Sequence, residues 1–219
     1  MTEPMTIQPI HDHSEERRRQ ILRAAMTCFA RRGFHPTTMN DISAEAQISV
    51  GLIYRYFNSK DAVITFMARE HLEDMKQILE QARRAPTLFE ALKLVSICHC
   101  EEQPEHLHVA FVADLFAEAA RNHHVRVLVR DVTQFFIESV TDLIAASDEA
   151  RTAPSGLTPR TAAEIIVDSM RGMMIRAIAD SSTLTASEIR ERQLAMLRTL
   201  WPLLFSRTAP VARFEQVLP

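Results

Sequence analysis

The chain has 219 residues, 47% hydrophobic, 24% charged and 6% aromatic, the balance of a globular protein long enough to bury a sizeable core. Its four glycines, Gly33, Gly51, Gly156 and Gly172, cannot write a GxGxxG or Walker-type phosphate loop, nor supply the tight turns of a strand-rich fold. The net charge of −3 is uneven: Ser14 to Lys60 carries +4 and everything beyond Lys60 carries −5, so a basic head suited to a polyanion precedes an acidic body.

Residues 1–13 carry Pro4 and Pro9 without periodicity and are expected to form a mobile arm. Ser14 followed by Glu15 and Glu16 reads as a helix start; Ile21, Ala25, Cys28 and Phe29 make its apolar stripe, and Gly33 stops it. Thr38 with Asp41 three residues on reads as a capping box opening a short helix to about Ala46. Gln47, Ile48 and Ser49 can only be a turn, and a third short helix is expected from Val50 to about Phe57, where Asn58-Ser59 breaks it and caps the next.

Longer helices follow. Apolar stripes predict one from Lys60 to before Pro86, one from Leu88 to near Pro104, one about Leu107–Ala119 and one about Val125–Ala146. Residues 147–159, with Pro154, Gly156 and Pro159, read as a loop; two further helices run from Arg160 to Asp180 and from Ser187 to about Ser206, the last kinked or shortened at Trp201-Pro202. The expectation is an all-α chain of about nine helices without internal repeats. It divides into an arm (1–13), a helix-turn-helix domain (14–60), a helical domain for ligand binding and dimerisation (61–207) and a tail (208–219).

Three short helices, with a three-residue turn between the second and third, are the helix-turn-helix plan. Two helices that cross closely need apolar residues at Ile42, Ala46, Ile48, Ile53 and Phe57 and a small one at Ser43, which leaves the outer face of the third free for a DNA groove. The segment TTMNDISAEAQISVGLIYRYFNSKDAVI, Thr37 to Ile64, resembles the DNA-binding signature of the TetR family of transcriptional regulators, and ILRAAMTCFARRGF resembles that family's first helix. The match covers about the first quarter of the chain and is specific at Thr38, Ile42, Ala46, Ser49, Gly51, Tyr54, Tyr56, Phe57 and Lys60. One position departs: the family usually has Gly after the second helix's Ala, where this chain has Gln47, and a Gln held left-handed there costs roughly 1 kcal/mol or more.

With the register that the resemblance supplies, side-chain chemistry assigns roles. Thr38 and Ser49, at helix N-termini, suit phosphate, as do the phenols of Tyr54 and Tyr56 and the ammonium of Lys60. Gly51 lets the helix backbone approach DNA. Asn40, Val50, Leu52 and Arg55 are left to read bases, Asn matching adenine, Arg guanine, and Val or Leu a thymine methyl. Arg17, Arg18 and Arg19 are candidates for the DNA backbone or minor groove.

For the second block the resemblance implies a small-molecule cavity and a four-helix dimer interface made by the last two helices. Lining candidates are Phe66, Met67, His71, Phe111, Phe116, Phe135, Phe136, Met170 and Met174; each alone is also a plain core residue. Dimer candidates are Ile166, Met170, Met173 and Ala177 with Ile189, Met196, Leu200 and Trp201, which serve equally as packing inside one subunit. The acidic excess, including Asp114 and Glu118, favours a cationic or neutral effector over an anion.

Three cysteines, Cys28, Cys98 and Cys100, without a CxxC, argue against a disulfide framework and for a reducing interior. The absence of a spanning apolar run or an export signal predicts a cytoplasmic protein without a membrane partner. The densest histidine cluster, Cys98-His99-Cys100 with His106 and His108, does not repeat at the i, i+3 or i+4 spacing that ligands on one helix face need. His11 with His13 and the adjacent His123 and His124 fare no better. No metal or other cofactor is expected, and no Ser/His/Asp set or paired carboxylates suggest an enzyme. The resulting expectation is a homodimeric repressor that binds a near-palindromic operator and is released by a small-molecule effector. The alternatives are a helical metal- or haem-binding sensor and a DNA-binding module that needs no ligand.

Overall fold

A computed structural model describes residues 10–96, 105–151, 157–180 and 186–205, and every element among them is a helix. In chain order these are α1 (Ile10–Arg32), α2 (Met39–Ala46), α3 (Val50–Tyr54), α4 (Lys60–Ala82) and α5 (Leu88–Ser96), followed by α6 (Glu105–Ala119), α7 (His123–Ala145), α8 (Asp148–Arg151), α9 (Pro159–Asp180) and α10 (Ala186–Leu204). The fold is all-α, an N-terminal helix-turn-helix followed by a helical domain.

Several boundaries differ from those expected. Helix α1 begins at Ile10, so residues 10–13 are helical and Ser14 lies inside the helix; nothing between Pro9 and Gly33 breaks it. The tenth helix is the single turn α8, inside the stretch expected as loop. Pro202 sits within α10 without ending it at once: the helix runs to Leu204, and Phe205 N–H still donates to the Trp201 carbonyl at 2.9 Å. A proline this close to a C-terminus lacks the N–H for one ladder bond only, which a helix near its end tolerates. The Cys98–Cys100 segment and the side chains of His106 and His108 lie outside the described residues.

The chain divides into two compact units, the first built from residues 1–70 and 100–129, the second from 71–99 and 130–219. The break expected at Lys60 is therefore not where the packing divides, because α6 belongs with the N-terminal helices. In the first unit Ile21, Ala25, Phe29, Ile42, Ile53 and Val63 are wholly buried in one core. Phe29 lies at its centre, its ring 5.1 Å from that of Phe34 and stacked at 6.0 Å on Phe111 of α6. Phe57 meets Phe66 edge-on at 5.6 Å.

In the second unit Trp201 packs edge-on against Phe89 at 5.2 Å and, with tilted rings, against Phe205 at 4.8 Å, while α10 lies on α9 and α5. Ile166, Met170, Ile189 and Trp201, candidates for a dimer face or for packing inside one subunit, are all buried, the first two and Trp201 in the core of this unit. Met173, Met196 and Leu200 remain half-exposed, Ile175 and Leu203 are more open still, at 47% and 64% exposed, and the side chain of Ala177 lies outside the described residues.

Candidate DNA interface

The segment from Gly33 to Lys60 is organised by local caps. Gly33 adopts φ +89°, and its N–H donates to the Phe29 carbonyl at 2.8 Å, closing α1 as a residue without Cβ can. The capping box forms as the spacing predicts: Asp41 N–H donates to Thr38 Oγ1 at 3.2 Å, and Thr38 N–H donates to Asp41 Oδ2 at 2.9 Å. The Thr38 hydroxyl also donates to Asp41 Oδ2 at 2.7 Å, and this bond and that from Thr38 N–H, with Arg32 nearby, hold the Asp41 carboxyl below its ordinary pKa. Ser49 caps α3 by accepting from Leu52 N–H at 3.2 Å, and Ser59 caps α4 by accepting from Ala62 N–H at 3.1 Å.

The turn itself rests on two residues. Gln47 is left-handed, at φ 54° and ψ 38°, as expected of the position where a glycine would be easiest. Ser43, chosen on size, does more: its hydroxyl donates to the Ile48 carbonyl at 2.6 Å and ties α2 to the turn. Gln47→Gly should therefore raise stability to urea by about 0.5 kcal/mol, the relieved strain being partly offset by glycine's greater freedom in the unfolded chain. A loss of stability would mean that the Gln47 side chain contributes more than its backbone costs.

Helix α3 is shorter than expected: it ends at Tyr54, and one further turn is closed by the Tyr56 and Phe57 N–H groups, which both donate to the Ile53 carbonyl, each at 2.9 Å. Ile53 and Phe57 point into the core; Thr38, Asn40, Ser49, Gly51, Tyr54 and Arg55 are exposed. Leu52 is half-buried, and Val50 and Tyr56 pack partly against the core, which leaves less of each for a ligand than the sequence implied. A Cβ placed on Gly51 would have nothing within 4 Å, so no contact inside the subunit requires glycine there.

Lys60 has a structural task that the sequence did not reveal. Its Nζ donates to the carbonyls of Phe34, His35 and Thr37 at 2.8, 2.6 and 3.2 Å and stands 4.7 Å above the Phe34 ring. The other side of the same turn is held by α6, where Asp114 Oδ2 accepts from Phe34 N–H at 2.6 Å and the buried Glu118 faces His35 at 3.9 Å. Sequence separation hid these partners: Asp114 and Glu118 had read only as part of an acidic excess.

The cavity candidates fall in both units. Phe111 is buried core, Phe66 and Met67 pack partly against the same core, and Phe116 is half-buried. In the second unit Phe135 and Phe136 flank the core, and Met170 is buried, with its sulfur 3.7 Å from the Ser96 hydroxyl. His71 is half-buried, and desolvation lowers its pKa against the opposing charge of Asp74. The Met174 side chain lies outside the described residues. Among the described residues no group of three His, Cys, Asp or Glu could hold a metal ion, and no helix is long and apolar enough to cross a membrane.

Comparison with known proteins converges on this segment. The family model for bacterial regulatory proteins of the tetR family matches residues 21–65. The HTH-type transcriptional regulator HbdR of Aromatoleum sp. (strain CIB) is 41% identical over 63 residues, which is 29% of this chain and only 28% of that protein. UidR of Escherichia coli (strain K12), also an HTH-type transcriptional regulator, is 27% identical over 179 residues, 78% of this chain and 86% of that one. The solved structure of Salmonella enterica GusR aligns with a TM-score of 0.65 at 24% identity, covering 92% of this chain and 99% of that one, a likeness of fold.

Proposed function

We propose that the chain is a TetR-like repressor that binds a near-palindromic operator as a homodimer and leaves it when a small molecule binds the C-terminal helices, a reading supported by the tetR-family match over residues 21–65 and by the regulators the chain resembles. The observation that carries the DNA reading is the open set Thr38, Asn40, Ser49, Gly51, Tyr54 and Arg55 around a rigidly capped turn, with Ile53 and Phe57 anchoring the other side of α3. Hydroxyls and N–H groups at two helix starts suit phosphate, and Asn40 and Arg55 suit base edges.

The dimer follows from reach. A helix of five residues, Val50–Tyr54, reads few base pairs, so useful affinity needs two copies on a two-fold site. The exposed Ile175 on α9 and Leu203 on α10 are apolar surface of the kind a partner helix covers. The effector acts only by binding the DNA-free arrangement more tightly than the DNA-bound one. Half-buried Phe135, Phe136 and His71 in the second unit are side chains suited to hold it.

Selecting bound sequences from a random duplex pool with the purified chain tests the reading. An inverted repeat is expected; no enrichment at low salt would overturn it. On the selected site Arg55→Ala should flatten the preference at one position per half-site, worth about 1–3 kcal/mol of discrimination, and leave the others intact. An unchanged preference matrix would show that Arg55 does not read a base.

A further inference from the structure

The arginines of α1 are not equivalent. Arg17 donates to Gln20 Oε1 at 2.7 Å, Arg18 pairs with Glu15 and lies over the Phe66 ring, Arg31 reaches Glu45 at 3.6 Å, and Arg32 pairs with Asp41. Arg19 and Arg23 are exposed, and their guanidinium groups have neither a hydrogen bond nor an ion pair with any described residue. Of the two carboxylates a turn before Arg19, Glu15 is engaged by Arg18, and Glu16 stands 3.8 Å from the His13 ring.

Two further facts give this pair a direction. Arg19 and Arg23 stand four residues apart, so they are neighbours on one face of α1, and like charges at that spacing weaken a helix. The free protein carries this repulsion with no internal contact in return; an anion lying along both guanidinium groups would relieve it. Gln20, between them in sequence, donates from Nε2 to the Ala46 carbonyl at 2.7 Å. That bond holds this stretch of α1 against the last residue of α2, three residues before the Ser49 cap of α3.

We propose that Arg19 and Arg23 form a phosphodiester clamp that grips the DNA backbone beside the groove entered by α3, fixing the protein's position on the duplex without reading sequence. The inference rests on the recognition-helix reading above and adds to it which cations of α1 take part: Arg19 and Arg23, and not the engaged Arg17 and Arg18. Contacts of this kind strengthen binding to any sequence and make it steeply salt-dependent, because each phosphate neutralised releases condensed counterions.

The test compares the full chain with Arg19→Gln/Arg23→Gln and Arg17→Gln/Arg18→Gln by fluorescence anisotropy, on a selected duplex and a scrambled one, between roughly 50 and 200 mM salt. The first variant should lose affinity for both duplexes by a similar factor, and its slope of log affinity against log salt should fall by about 2 for each bound subunit. Its melting point should be no lower than wild type, and the second variant should keep the wild-type slope. If wild type binds and the Arg19/Arg23 variant keeps its slope, the clamp is overturned while the recognition reading stands. Loss confined to the selected duplex would make these residues base readers and also overturn the clamp, as would an equal slope change in the Arg17/Arg18 variant. If wild type prefers neither duplex, the recognition reading itself fails.

Discussion

Phe29→Ala is expected to destabilise the first unit by about 3–5 kcal/mol and to abolish DNA binding at temperatures where the unaltered protein binds. Phe29 has no exposed surface and joins three parts of the chain: α1, on which it sits, the turn through Phe34, and α6 through Phe111. Truncation to Ala removes the ring's burial and opens a cavity that α1 and α6 cannot close without moving the turn that Lys60 and Asp114 hold. Phe29→Leu, closer in volume, should cost less than about 1.5 kcal/mol and keep DNA binding. Urea unfolding followed by circular dichroism, with operator binding measured in parallel, checks both. An equal loss in the two variants would show that ring geometry, not filled volume, is what this core requires.

Gly51→Leu should move stability and DNA affinity in opposite directions. Glycine inside a helix costs about 0.5–1 kcal/mol relative to a good helix former. Since a Cβ at Gly51 meets nothing within 4 Å, the free protein should gain up to that amount. On the operator a leucine would stand where the α3 backbone approaches DNA, and the clash should lower affinity about a hundredfold or more, on the order of 3 kcal/mol. Thermal melting and anisotropy on the selected duplex separate the two effects. Retained affinity would mean that α3 does not bring its second residue against the duplex, and the register assigned to Asn40, Val50, Leu52 and Arg55 would shift with it.

Both experiments bear on the coupling between the helix-turn-helix and the rest of its unit. The turn at 33–37 is gripped from two sides, by the Lys60 ammonium on three carbonyls and by the Asp114 carboxylate on one N–H. It leads directly into the Thr38 cap of α2. A displacement of α6 would therefore reach α2 through a charge-assisted hydrogen bond, not only through apolar packing that can slide.

What the sequence determined by itself is local. The Thr38–Asp41 box, the Ser49 and Ser59 caps and the Gly33 stop each depend on residues at most four apart, and all four formed as read. The helix-turn-helix was legible for the same reason: its apolar spacing and its cap chemistry lie within one continuous segment. Periodicity also marked which face of each later helix is buried, but it cannot say against what. Only the tertiary structure assigned α6 to the first unit, turned Lys60 and Asp114 into supports of one turn, and made Ile166, Met170, Ile189 and Trp201 interior. Burial within a subunit and burial against a partner leave the same apolar stripe in a sequence, and two groups some eighty residues apart become partners only when packing brings them together.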